Sequence, residues 1–115
     1  MKIANLSEAM VKVWELQTRA CKIKPKPIEK NLCKLMEEVG EIAQDVLKLD
    51  GYKVNKEKVE DLRQNLKEEI VDAMVMLMVL AMDAGTTEKE MCTIFEKKLN
   101  KWVSKHIEPK EQKRT

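Results

Sequence analysis

Apolar side chains recur at helical spacing in four stretches of this chain. Ile3, Leu6, Met10, Val13 and Trp14 do so in a segment without glycine or proline, which predicts a first helix over 3 to about 20. Lys22-Ile23-Lys24-Pro25-Lys26-Pro27 follows as a connection, because each proline fixes its own backbone angle and biases the residue before it away from helix. A second helix is expected from 28 to about 49, with Leu32, Leu35, Met36, Val39, Ile42, Ala43 and Val46 on one stripe centred near Val39. Asp50-Gly51 reads as its stop, and the polar stretch to Lys58 as a mobile loop. A third helix is expected over 59 to 84. Between Ile70 and Met82 its only polar side chain is Asp72, so this helix should be buried on more than one face. Gly85 supplies a left-handed stop, and Thr87 with Glu90 forms a capping box for a fourth helix reaching about 105. Its stripe is Met91, Ile94, Phe95, Leu99, Trp102 and Val103, after which the polar tail 108–115 has nothing to bury and should fray.

These elements predict an all-α protein: one domain over 1–107, an antiparallel four-helix bundle, and the tail. A chain of 115 residues with so apolar a third helix is expected to bury part of that surface against further copies of itself, as a dimer or tetramer. Composition narrows the classes. The formal charge is +2 with 37% charged residues, so no basic field argues for a nucleic-acid partner. Aromatics number four (Trp14, Tyr52, Phe95, Trp102) against eight methionines, a helical core of adaptable side chains rather than a stacking platform. Cys21, Cys33 and Cys92 are odd in number and lack Cys-x-x-Cys spacing, and no signal peptide is recognised, so the expectation is a cytoplasmic protein with free thiols. The longest apolar run, 73–82, is half of the ~20 residues that a membrane span needs.

Chemistry concentrates in two acidic clusters, Glu37-Glu38-x-x-Glu41 and Glu69-x-x-Asp72. A three-residue step turns a helix by about 300° and advances it about 4.5 Å, so Glu38 with Glu41, and Glu69 with Asp72, each project as a neighbouring pair. Around the second helix Glu38 stands about 100° from Val39 and Glu41 about 160°, which places both acids at the border of the apolar stripe. If the two helices pack antiparallel, four carboxylates converge. Two unit charges ~4 Å apart repel by about 4 kcal/mol at an effective dielectric near 20, so such a cluster requires cations or protons. Oxygen-only ligands suit Mg2+, with Mn2+ as a substitute, better than zinc or copper. Asp72, set inside the apolar run, is expected to be neutralised, ion-paired or metal-bound. A single solvated glutamate is the ordinary state of any one of these residues; the repeated spacing on adjacent helices favours metal.

Other sites fail on the residues. A ferritin-like di-iron centre needs Glu-x-x-His twice, whereas the one histidine, His106, has Val103 three positions before it. The three glycines, Gly40, Gly51 and Gly85, form no phosphate-cradling loop, and no EF-hand is present. Gly40 weakens its helix by about 1 kcal/mol relative to Ala, a cost that close approach of a ligand or another helix would explain.

Glu37-Glu38-Val39-Gly40-Glu41 followed by Glu69-Ile70-Val71-Asp72 resembles the EExxE and ExxD signature of the MazG-like, all-α nucleoside triphosphate pyrophosphohydrolases, over about 32–84. The resemblance implies a homodimer or homotetramer that splits a nucleoside triphosphate between the α and β phosphates, giving monophosphate and pyrophosphate. It implies Mg2+ ligands at Glu38, Glu41, Glu69 and Asp72, with Glu37 and Glu68 supporting them or orienting the attacking water. Positive side chains should complete the phosphate site, and Lys34, Lys97, Lys98 and Lys101 are candidates by position. Lys97-Lys98-Leu99-Asn100-Lys101-Trp102 matches the family's late basic residues only in part. Trp14 and Trp102 are candidates to stack a nucleobase, although their stripe positions favour core packing. Phosphoribosyl-ATP, dUTP or dCTP as substrate is the near alternative; a non-catalytic helical oligomerisation or regulatory module is the distant one.

Overall fold

A computed structural model describes residues 1–51 and 56–109, and these are helical with no strand among them. The four helices are α1 (Leu6–Ile23), α2 (Ile28–Gly51), α3 (Lys56–Asp83) and α4 (Glu88–His106). The chain divides into two compact units, Met1–Ala84 with α1 to α3 and Gly85–Thr115 with α4. The expected loop before Lys58 lies outside the described residues over 52–55, and the expected tail does so from 110 onward.

Local signals explain the boundaries. Asn5 accepts a hydrogen bond from the Glu8 backbone N–H at 2.8 Å, and the Glu8 carboxylate accepts one from the Ala4 N–H at 3.0 Å. That cap starts α1 at Leu6, leaving Ile3 outside the helix and Leu6 exposed, contrary to their expected place on its stripe. The Lys24 N–H donates to the Ala20 carbonyl at 2.9 Å and closes the last turn just before Pro25. For α4 the expected capping box is present: Thr87 Oγ1 accepts from the Glu90 N–H at 3.1 Å, while Glu90 Oε1 accepts from the Thr87 N–H at 3.4 Å. Gly85 takes φ +85°, the left-handed conformation expected of it.

In the first unit the main packing joins α2 to α3, and α1 packs on α3 more lightly. Asn31, at the start of α2, donates to Asp83 at the end of α3 at 2.8 Å. Asp45 meets Glu69, fourteen residues along α2 and fourteen back along α3, so the two helices run antiparallel. The α2 positions turned inward are Asn31, Leu35, Glu38, Ile42, Asp45 and Leu49, steps of four and three that trace a seam like that of a coiled coil. Val59, Leu62, Leu66, Glu69, Ala73, Met76 and Leu80 answer them on α3.

This seam is rotated by about 80° from the apolar stripe centred on Val39. Leu35 and Ile42 belong to both, but Leu32, Met36, Val39 and Val46 are exposed, Met36 by 61%. On α3, Ile70, Val71, Met74 and Leu77 are exposed as well, so the expected burial of that helix on more than one face is not met within one chain over this part. Past Leu77 it is nearer: Met78, Val79, Leu80, Ala81 and Met82 are all buried or half-buried.

A Cβ built on Gly40 meets nothing within 4 Å. Among the described residues nothing makes the close approach that would explain this glycine. Gly40→Ala is expected to raise stability by about 0.5–1 kcal/mol, read as a higher melting temperature; a lower one would show that another surface touches α2 there.

Candidate functional site

The seam carries acids where a helical hairpin ordinarily buries leucine. Glu38 is 5% exposed and Asp45 6%, both on the face of α2 that meets α3, and Glu69 is half-buried opposite them. One oxygen of each, Glu38 Oε2, Asp45 Oδ2 and Glu69 Oε2, is buried with no hydrogen-bond partner among the described residues. Such atoms are costly unless a proton, a cation or water reaches them.

Part of the cost is met within the chain. The Glu69 and Asp45 carboxyls lie within hydrogen-bond reach, an arrangement attractive only when they share a proton. Glu69 is accordingly pushed up to about 7, first by the hydrogen bond with Asp45, then by desolvation, then by the negative charges of Asp45, Glu41 and Glu38. Glu38 is held from the other side: Lys34 Nζ stands 3.2 Å from Glu38 Oε1 and 3.7 Å from Glu37 Oε2. The hydrogen bond and the charge of Glu38 raise the Lys34 pKa.

Glu38, Glu41 and Glu69 thus share one electrostatic neighbourhood. Asp72 lies outside the seam itself. It is exposed, because α3 turns it about 90° from the centre of the seam, and the partner or neutralisation expected for an acid inside the apolar run is not needed there. Glu37, Glu41 and Glu68 are exposed as well. Among the described residues no three His, Cys, Asp or Glu side chains are placed to hold a metal ion as they stand.

The remaining candidates divide between the units. Lys34 is exposed on α2 beside the acids, and Trp14 is half-buried on α1. Lys97, Lys98, Lys101 and Trp102 are exposed on α4, where the Trp102 ring lies 5.0 Å from that of His106. Cys21, Cys33 and Cys92 are free and exposed. Asp45 was not singled out by its spacing, yet the signal is in the chain: it follows Glu38 by seven residues, two helical turns, and so returns to the same face. Asn31 shares that face one heptad earlier.

No family model matches the chain, and no curated protein or solved structure matches it either. Among the described residues no single helix is long and apolar enough to cross a membrane.

A carboxyl whose pKa rises on folding holds its proton more tightly in the folded chain. The stability it contributes is fully present below its ordinary value of 4.5 and is lost as pH rises through about 7. In chelator, the melting temperature should therefore fall between about pH 4.5 and 7.5. Glu69→Gln keeps a hydrogen facing Asp45 and should flatten that fall; an unchanged slope in thermal melts would contradict the shared proton.

Proposed function

We propose that the chain is a Mg2+-dependent nucleoside triphosphate pyrophosphohydrolase, cleaving between the α and β phosphates, with nucleotide-pool cleansing in the cytoplasm as its task. One observation carries the reading: along the seam of α2 and α3, one carboxylate oxygen of each of Glu38, Asp45 and Glu69 is buried without a hydrogen-bond partner among the described residues. Oxygen-only donors of this kind fit a hard divalent cation.

In this reading Glu38, Glu41, Glu69 and Asp72 are the ligands. Asp45 sits behind Glu69 and fixes its orientation, and Glu37 and Glu68 orient the attacking water from the flanks. Mg2+ bound there supplies Lewis acidity, neutralising the triphosphate and acidifying water. The residues do the rest. Glu38 and Glu69 would hold the cation in place of a proton, which would pass to solvent, and Lys34 would then be free to contact phosphate. Lys97, Lys98 and Lys101 are further phosphate contacts in this proposal, and Trp14 and Trp102 the stacking candidates. Phosphoribosyl-ATP is the alternative substrate within the same chemistry.

The protomer we propose is an antiparallel four-helix bundle, assembled as a dimer or tetramer. The support is the exposed row Leu32, Met36, Val39 and Val46 on α2, continued by Ile70, Met74 and Leu77 on α3. A second reading, a non-catalytic oligomerisation module, draws on Lys34 and the Glu69–Asp45 proton, which relieve the acids without metal.

Pyrophosphate release from a panel of ribo- and deoxyribonucleoside triphosphates, with Mg2+ and with chelator, separates the two. The expected result is metal-dependent turnover that Asp72→Asn and Glu38→Gln lower by about a hundredfold or more with helicity unchanged, since even outer partners of ligands cost about 10–100-fold. Silence across the panel from folded protein favours the module. Light scattering should give a multiple of 13.4 kDa, and Met36→Lys should reduce it to a single chain; a wild-type monomer would remove the assembly from the proposal.

A further inference from the structure

A cavity of about 680 Å3 opens between the end of α1, the connection to α2 and the first turns of α2, with α3 behind it. That size is typical of sites for small ligands. Lys24, Lys26, Lys30 and Lys34 line it, against two acids, Glu29 and Glu37. Ala20, Met76 and Val79 supply apolar wall. Among the described residues, Lys24, Lys26 and Lys30 make no ion pair, so the lining carries four lysines against two acids, an excess of positive charge around one concave space. Pro25 and Pro27 restrict the backbone that carries Lys24 and Lys26, which lowers the entropy lost when they close on a ligand. Lys30 and Lys34 lie one helical turn apart, about 6 Å, a span comparable to two phosphoanhydride linkages.

From this arrangement we infer that the cleft is an oligophosphate site, binding the phosphate chain of a small anion through Lys24, Lys26, Lys30 and Lys34 without need of a divalent cation. Concavity favours a small anion over a nucleic-acid backbone, which tracks open basic faces. Lys34 is shared: it lines the cleft and also contacts Glu38, so a chain held here ends beside the seam carboxylates. That the chain belongs to a substrate or product rests on the pyrophosphohydrolase reading; that the cleft binds it does not.

The test is calorimetric titration of the full chain in chelator at low salt with tripolyphosphate, pyrophosphate, adenosine triphosphate and adenosine. The expected result is binding of the phosphate-bearing probes but not adenosine, weakened about tenfold by Lys26→Ala/Lys30→Ala as two charge-assisted contacts are lost. Lys48→Ala, at the far end of α2, should leave it unchanged. Equal affinity for tripolyphosphate and the nucleotide assigns the free chain; tighter nucleotide binding assigns a nucleotide's tail and seats its nucleoside on Ala20, Met76 and Val79. Circular dichroism checks the double variant, and Lys26→Gln and Lys30→Gln singly, each expected to weaken binding about threefold, serve if it misfolds. No binding in chelator, or binding that all the cleft variants leave intact, overturns the proposal. Turnover without such binding would sink the cleft and spare the hydrolase; binding without turnover would do the reverse.

Discussion

The contact between α2 and α3 has to accommodate negative charge in its own seam. Glu38 and Asp45 enter it from one helix and Glu69 from the other, at positions where a helical hairpin would gain most from apolar side chains. Everything nearby responds to that load. The Glu69 carboxyl is pushed up to about 7 by Asp45 and desolvation, and Lys34 reaches one turn along α2 to Glu38. At the open end of the hairpin Asn31 spans to Asp83, holding the antiparallel register with a neutral donor. The seam is thus closed by polar contacts at one end and loaded with like charge farther along.

The same choice of face has a packing consequence. With acids turned inward, α2 must show much of its apolar stripe outward, since one helix cannot present both faces to one neighbour. Leu32, Met36, Val39 and Val46 are left exposed while Leu35 and Ile42, common to both faces, keep the hairpin together. Charge in the seam and an uncovered apolar row are therefore two aspects of one rotation of about 80°. The basic cleft extends this logic: its lysines end at Lys34 and Glu37, where the acidic seam begins, so opposite charges adjoin along a single helix.

Much of the architecture was legible because its causes are local. The helix start at Thr87, the stop at Gly85 and the break at Pro25 follow from hydrogen bonds and backbone angles settled within a few residues, and they appear where the chain's own signals put them; the Asn5 cap is equally local but starts α1 later than its apolar spacing suggests. The acidic pairs were legible too, as spacing. What escaped was orientation. A hydrophobic stripe shows which face prefers to leave water, but it does not say which neighbour will cover it or whether a neighbour within the same chain will.

By itself, then, the order of residues determined four helices, the turn and cap between α3 and α4 and two acid pairs at helical spacing, because short-range geometry decides those. Only the tertiary structure decided that Asp45 joins Glu69, that Asp72 turns outward, that Lys34 reaches Glu38, and that the lysines around Pro25 and Pro27 border one cavity. Each of these depends on the rotation and register of one helix against another. Those are set by the sum of many contacts across the seam, and a turn of a quarter circle costs no change in sequence while exchanging which side chains meet.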